Sequence, residues 1–443
     1  MRLSLNSIIY YSLLTLPVSF KIEFAEGVYL YPQELIIAIV VVLIIIFDYR
    51  QLFVLPKFIS PYLYYFASVL LILVCTLISF SNFIDIAGLF KTLKYLLYII
   101  AVLLVSRNNL AGFIASFNKI AFYSILITLV IYAFRWYTFT GTTGEYFYLT
   151  TWDVNYVPSG LSNLNFDPRT LSFTRSAGNH GVYGSYLVLI YLLNLHLLLT
   201  GNKKEGGRSS ILLIILVVIS LSLLTSRESL LIFLLVNLCF FSKDLLKLRL
   251  KKVYLYFLLA LSVFLVVILV NDVNIGLINK IEYTLRSITE SGGEQNINLR
   301  FNVWILILLS YILFPFHLLI GYGYNDFNFT YFLKETNSYF GMYDNYASVP
   351  ESLFFIMLAY GGIIALFSIL FFFISLLFRL SRLSRYSSLY ELFFYFSVGL
   401  FITNNTGGSL MSDMLLAQFS LFYIFIHKHY EQQSEAVVHN RQG

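Results

Sequence analysis

Arg300-Phe301-Asn302-Val303-Trp304-Ile305-Leu306-Ile307-Leu308-Leu309-Ser310-Tyr311-Ile312-Leu313-Phe314-Pro315-Phe316-His317-Leu318-Leu319-Ile320 is apolar enough to enter a bilayer, yet it carries Asn302, Pro315 and His317 and starts on an arginine. Whether this stretch crosses fixes the side on which everything after it lies. It sits in a polar island, about 272–351. That island also holds Arg286, the run Gly321-Tyr322-Gly323-Tyr324-Asn325-Asp326, and Pro350-Glu351 at the lip of the next apolar run.

The rest of the chain is membrane in character. Hydrophobic residues make up 59% and charged residues 12%, against about 25% charge in a soluble domain. Mean hydropathy is +0.79. Apolar runs recur from end to end near 7–20, 34–47, 61–80, 88–105, 118–134, 181–200, 210–224, 228–242, 253–271, 352–378, 388–404 and 409–427. Their continuity predicts helices, not the alternation of a membrane β-barrel. The reading is an all-α polytopic membrane protein, a single membrane domain over 1–443 with about twelve transmembrane helices. The N-terminal run has no small-residue cleavage site and is read as a first span, not a signal peptide. Cys75 and Cys239 lie inside apolar runs and read as buried small hydrophobes.

Charge decides the sides. With the N-terminus inside and 301–320 not crossing, most of the 29 Lys and Arg fall in cytoplasmic segments. These hold Arg50 and Lys57, Arg107 and Lys119, Lys203, Lys204 and Arg208, the run from Lys243 to Lys252, and Arg379, Arg382 and Arg385. If 301–320 crossed, Arg379–Arg385 would face outward, against the positive-inside rule. The stretch is therefore expected to lie on or dip into the outer surface, with Trp304 suited to an interface. Two large loops, 135–180 and 272–351, then face outward.

Some functions are excluded at this level. The cytoplasmic loops are short, and no GxxxxGK[ST] occurs, so the chain by itself does not drive transport with ATP. The net charge of +6 is spent on the inner leaflet, where the amphipathic run 243–252 suits anionic lipid, and no nucleic-acid partner is expected. No His/Asp/Glu spacing resembles a metal site, and no cofactor is expected.

The outward segments carry arginines close to hydrocarbon: Arg169, Arg175, Arg227 in the tight Thr225-Ser226-Arg227-Glu228-Ser229 hairpin, Arg286 and Arg300. Each either snorkels to lipid head groups or binds phosphate oxygens, for which a guanidinium fork is well shaped. Lys91 and Lys94 share a helix face, and snorkelling is the better reading for them. Glu351 is either an acidic residue stabilising a helix N-terminus behind Pro350 or a general base. His180 is a second candidate base, and Glu228 and Asp344 rank below it. His196 and His317 read as structural. The tyrosines of the outer loops, Tyr324 among them, either stack on sugars or anchor at the interface. Asn325 is their polar neighbour. The strong charges sit at span ends and not mid-membrane, which weighs against a transporter.

Taken in order, Thr174-Arg175-Ser176-Ala177-Gly178 before a span, Ser226-Arg227 after one, Arg300-(x)3-Trp304 leading to Gly321-x-Gly323, and a span ending in Gly361-Gly362-Ile363 resemble the Wzy-type O-antigen polymerase and O-antigen ligase superfamily. The resemblance covers about 170–370. It implies a GT-C-related fold in a bacterial inner membrane. The implied activity is an inverting, metal-independent glycosyltransferase acting at the periplasmic face on undecaprenyl-pyrophosphate-linked oligosaccharides. It implies that Arg175, Arg227 and Arg300 bind the donor pyrophosphate, with a chain-length regulator as a further partner. Ligases place a histidine where this chain has Glu351-Ser352, so the resemblance leans to a repeat-unit polymerase with Glu351 at the catalytic position. An O-antigen ligase and a twelve-span transporter or flippase are the alternatives.

Overall fold

The computed structural model describes residues 4–19, 22–25, 28–52, 55–78, 86–108, 110, 112–140, 147–149, 154–156, 180–200, 207–224, 226–245, 295–324, 326–344, 346, 350–405 and 409–442. Within these the chain is helical, apart from two short antiparallel hairpins. One pairs β1 (Ile22–Ala25) with β2 (Val28–Leu30); the other pairs β3 (Phe147–Leu149) with β4 (Val154–Tyr156). Each expected apolar run inside the described residues is a helix, and 253–271 lies outside them.

The first eight helices are α1 (Leu5–Thr15), α2 (Pro32–Asp48), α3 (Ser60–Ile78), α4 (Ile86–Val105), α5 (Phe113–Thr140), α6 (His180–Thr200), α7 (Gly207–Leu223) and α8 (Arg227–Leu245). The island and the chain beyond it form α9 (Gln295–Leu313), α10 (Pro315–Ile320), α11 (Asp326–Phe340), α12 (Leu353–Leu383), α13 (Ser388–Thr403) and α14 (Asp413–Gln442). Among the described residues, five segments are long and apolar enough to cross a membrane: Lys57–Ile78, Gly88–Val105, Phe113–Val130, Gly181–Thr200 and Leu353–Leu383. Leu5–Val18, Ser209–Ser222, Glu228–Ser242, Asn298–Leu313 and Ser388–Thr403 are shorter apolar helices. The protein is thus a helical membrane protein. Its surface fits that solvent: Ile364, Phe367, Phe371, Ile374 and Phe378 all point out of the protein from α12.

Helix α12 is not straight. Gly362 has φ 69 and ψ −170, outside helical values. The rings of Phe354 and Phe373 lie 6.0 Å apart, whereas a straight helix would separate these positions by about 28 Å. The first half, 353–361, therefore folds back beside the second half, 363–383. A break of this kind strands backbone carbonyls, which apolar surroundings penalise heavily. The island supplies the missing donors. The Tyr311 hydroxyl donates to Leu358 O at 2.8 Å. Tyr322 N–H donates to Ala359 O at 2.7 Å and Gly323 N–H to Tyr360 O at 3.0 Å. Tyr324 N–H then donates to Thr76 Oγ1 of α3 at 2.7 Å.

Close approach requires glycine on both sides. A Cβ on Gly321 (φ +70) would sit 2.5 Å from the Tyr360 carbonyl carbon, and one on Gly362 would sit 2.2 Å from Leu319 O. The Gly321-x-Gly323 and Gly361-Gly362 motifs, well separated in sequence, are the two halves of one joint.

The stretch 301–320 is two helices, not one, because Pro315 cannot continue α9: its ring blocks the preceding turn and it has no N–H to donate. Val303, Leu306, Ile307 and Tyr311 are buried against the protein, while Phe301, Leu308, Ile312, Phe316 and Leu319 face out. A helix lying flat on a membrane shows a polar outer face. This outer face is apolar, so of the two expected courses, dipping in beside α12 is the one it fits.

Candidate functional site

Glu351 is the one non-glycine with positive φ (51) among the described residues. That conformation costs about 1–3 kcal/mol and persists only where the surroundings enforce it. They do so here from both sides. Before it, Pro350 O accepts the Trp304 Nε1–H at 2.7 Å, and the Trp304 ring stacks on Phe355 at 4.9 Å with an interplanar angle of 2°. After it, Leu353 N–H donates to Asn404 O at 3.0 Å, and the Ser352 hydroxyl donates to the same oxygen at 3.3 Å. The helix starts at Leu353, so Glu351 stands outside it and does not sit in the first turn behind a helical proline, which corrects the capping expectation.

The result is an aimed carboxylate. Glu351 Oε2 forms an ion pair with Arg300 Nε, with side chains 39% and 35% exposed. That exposure leaves both groups within reach of a ligand, and at such exposure an ion pair contributes little stability of its own.

Other sequence-marked positions gather at the same end of the helices. His196 Nδ1 on α6 meets Ser388 Oγ at the start of α13, 2.8 Å away. Followed back along α6 and forward along α13, that contact leads to His180 and Asn404 at a common level, about 24 Å away. A Cβ on Gly181 would meet Glu228 Oε2 at 2.7 Å, and one on Gly184 would meet Ser229 Oγ at 2.1 Å. The start of α6 and the start of α8 are therefore side by side. Ile232 of α8 lies against Gly399 of α13, so Arg227 stands at the Asn404 end as well. His180 and Arg227 are placed by their backbone, and their side chains lie outside the described residues. Arg169, Arg175, Arg286 and Asn325 also lie outside them.

Tyr324 is described and is engaged within the protein. Its ring tilts over Tyr360 at 4.5 Å, and Lys91 Nζ stands 5.4 Å from its centroid. His317 Nδ1 bonds Gly321 O at 2.8 Å, which with the His196 contact suits the structural reading of both.

The opposite end collects basic residues. Arg379 donates from Nη1 to Lys57 O at 2.8 Å and from Nη2 to Ser60 Oγ at 3.2 Å. Two segments assigned to one side by charge are thus in contact.

A second polar cluster was missed in the sequence. Lys94 does not snorkel: its side chain is 13% exposed, with Nζ 2.6 Å from Asp413 Oδ2 and 3.7 Å from Glu34 Oε1. Glu34 also accepts the Tyr98 hydroxyl at 2.8 Å and the Tyr31 N–H at 2.8 Å. Glu34 and Asp413 are buried. These charges are buried, and Glu34 and Asp413 lie at the starts of α2 and α14, so the expectation that strong charges sit at span ends is kept while their burial is new. A signal was present: Glu34 follows Pro32 where a helix starts, and Asp413 follows the polar run Asn404-Asn405-Thr406-Gly407-Gly408-Ser409 between two apolar stretches. Asn404 joins the two regions. It holds Leu353 with its carbonyl and accepts the Leu410 N–H on Oδ1 at 3.2 Å, just before Asp413.

Compared with known proteins, the chain matches no family model, no curated sequence and no solved structure.

Proposed function

We propose that the protein is a polysaccharide repeat-unit polymerase. It would transfer a growing glycan from undecaprenyl pyrophosphate to a hydroxyl of a new lipid-linked repeat unit, at the periplasmic face of a bacterial inner membrane. The observation that carries this reading is the exposed Arg300–Glu351 pair, held on strained backbone at the helix end where Arg227 and His180 also stand. The pairing holds the Glu351 carboxylate and the Arg300 guanidinium side by side, both partly exposed to a ligand. In the proposed reaction the acceptor hydroxyl attacks the anomeric carbon, and Glu351 takes its proton. The bond from that carbon to the phosphate oxygen breaks with inversion, and the lipid pyrophosphate leaves with the electron pair. Arg300, Arg227 and Arg175 would stabilise its charge, each charge-assisted hydrogen bond contributing about 1.5–3 kcal/mol. The pyrophosphate bond already supplies the driving force, so no nucleotide is required. Twelve crossings and a GT-C-related arrangement belong to the same proposal.

The test is chain extension by purified protein supplied only with lipid-pyrophosphate-linked repeat units. Wild type lengthens the glycan. Arg300→Ala and Glu351→Gln each reduce the rate at least about 100-fold. Wild-type ladders from both variants would overturn the reading.

A second reading, a transporter or flippase, is favoured by the buried Glu34–Lys94–Asp413 cluster, since interior charges commonly mark ion and substrate paths. Vesicles that move the lipid-linked unit across the bilayer without lengthening it would select that reading.

A further inference from the structure

The Glu34–Lys94–Asp413 cluster is short by one positive charge and by one hydrogen. Two buried carboxylates face one ammonium, which leaves a net negative charge in an apolar interior if all three are ionised. An uncompensated buried charge is among the most costly features a protein can hold. Among the described residues, the other ionisable groups recorded against the cluster bring no charge to offset it. They are Tyr31 and Tyr98 beside Glu34, and Tyr65 and Tyr95 beside Asp413, all phenols, neutral near pH 7.

The hydrogen count gives the same answer independently. Glu34 Oε1 accepts from Tyr98 and Oε2 from Tyr31, while Asp413 Oδ2 is met by Lys94. Asp413 Oδ1 is buried with no hydrogen-bond partner, in a residue 5% exposed. Because its sister oxygen rests on the Lys94 ammonium, this bare oxygen belongs to the cluster itself.

We propose that the cluster is a proton-binding site inside the helical bundle, with one proton shared between Glu34 and Asp413 across Lys94. A water molecule beside the bare oxygen would not offset the charge; a proton does. Two carboxylates that share a site hold one proton between them because both cannot ionise at close range. The site joins α2, α4 and α14, and through Asn404 it touches the segment that holds Glu351. The inference does not rest on the polymerase reading.

Infrared spectroscopy of the full chain in detergent tests it without any activity assay. At neutral pH the wild type should show the carbonyl stretch of a protonated, desolvated carboxylic acid, shifting in heavy water. The band should be lost in Glu34→Gln or in Asp413→Asn. On titrating the wild type upward it should disappear in a single one-proton step, a measurement that decides the question even where a variant is not recovered. No such band at neutral pH, or a band that survives in both variants, overturns the proposal. So does a melting temperature that rises with sodium chloride and not with equal choline chloride at fixed pH, which would mean a metal cation fills the gap.

Discussion

Glu351 combines a side chain that the proposed reaction uses with a backbone conformation that its residue type disfavours. The two can be separated. Glu351→Gly relieves the positive φ and should raise stability by about 1 kcal/mol, while chain extension falls as far as in Glu351→Gln. Thermal unfolding in detergent and the extension assay read the two effects; a glycine variant that is both less stable and fully active would contradict this account. Trp304 acts one step further out. Trp304→Phe keeps a ring to stack on Phe355 but loses the Nε1–H to Pro350 O. That loss should cost roughly 1–2 kcal/mol, seen as a lower unfolding midpoint. Glu351 was legible as a candidate because an acidic residue at the lip of an apolar run is conspicuous. Its partner was not, since nothing in the spacing of Arg300 and Glu351 says that they touch.

Among the elements, the decisive one is the broken helix α12 and the segment 321–323 that completes it. Gly321→Ala and Gly362→Ala each press a methyl group into backbone atoms and add strain at positive φ. Each should destabilise by several kcal/mol, well beyond the roughly 1 kcal/mol that positive φ alone costs. Gly341→Ala is the control. Its φ is +60, yet nothing lies within 4 Å of the added carbon, so it should show the backbone cost alone. Equal midpoints for Gly341→Ala and Gly362→Ala would refute the joint. The sequence showed both glycine pairs and the apolar run around 353–378. It did not show the fold-back, because a hydropathy pattern reports how long an apolar run is and not whether it is straight. Pro315 did announce the division of 301–320 into two helices.

For the whole molecule, the two ends of the bundle differ in kind. One end holds Lys57 against Arg379, with Arg382 and Arg385 nearby in the chain; the other holds Glu351 and Arg300. If the positive-inside rule sets the orientation, a membrane-impermeant thiol reagent should modify Tyr386→Cys from the cytoplasmic side only and Glu351→Cys from the opposite side only. Tyr386 is 67% exposed, so accessibility does not limit the first. Labelling of Glu351→Cys from the cytoplasmic side would overturn the assignment of the site's face. The interior cluster is the clearest case of what a linear reading misses. From sequence Lys94 reads as snorkelling because its partners, Glu34 and Asp413, are far away in the chain.

The sequence by itself determined that the chain lives in a membrane and, among the described residues, where its apolar helices lie, because hydropathy is a local sum along the chain. Only the tertiary structure decided that α12 turns back on itself, that Glu351 meets Arg300, and that three charges gather inside the bundle. Those facts depend on which distant segments supply one another's missing hydrogen bonds and countercharges, and in a low-dielectric interior those needs are strong enough to dictate the partners.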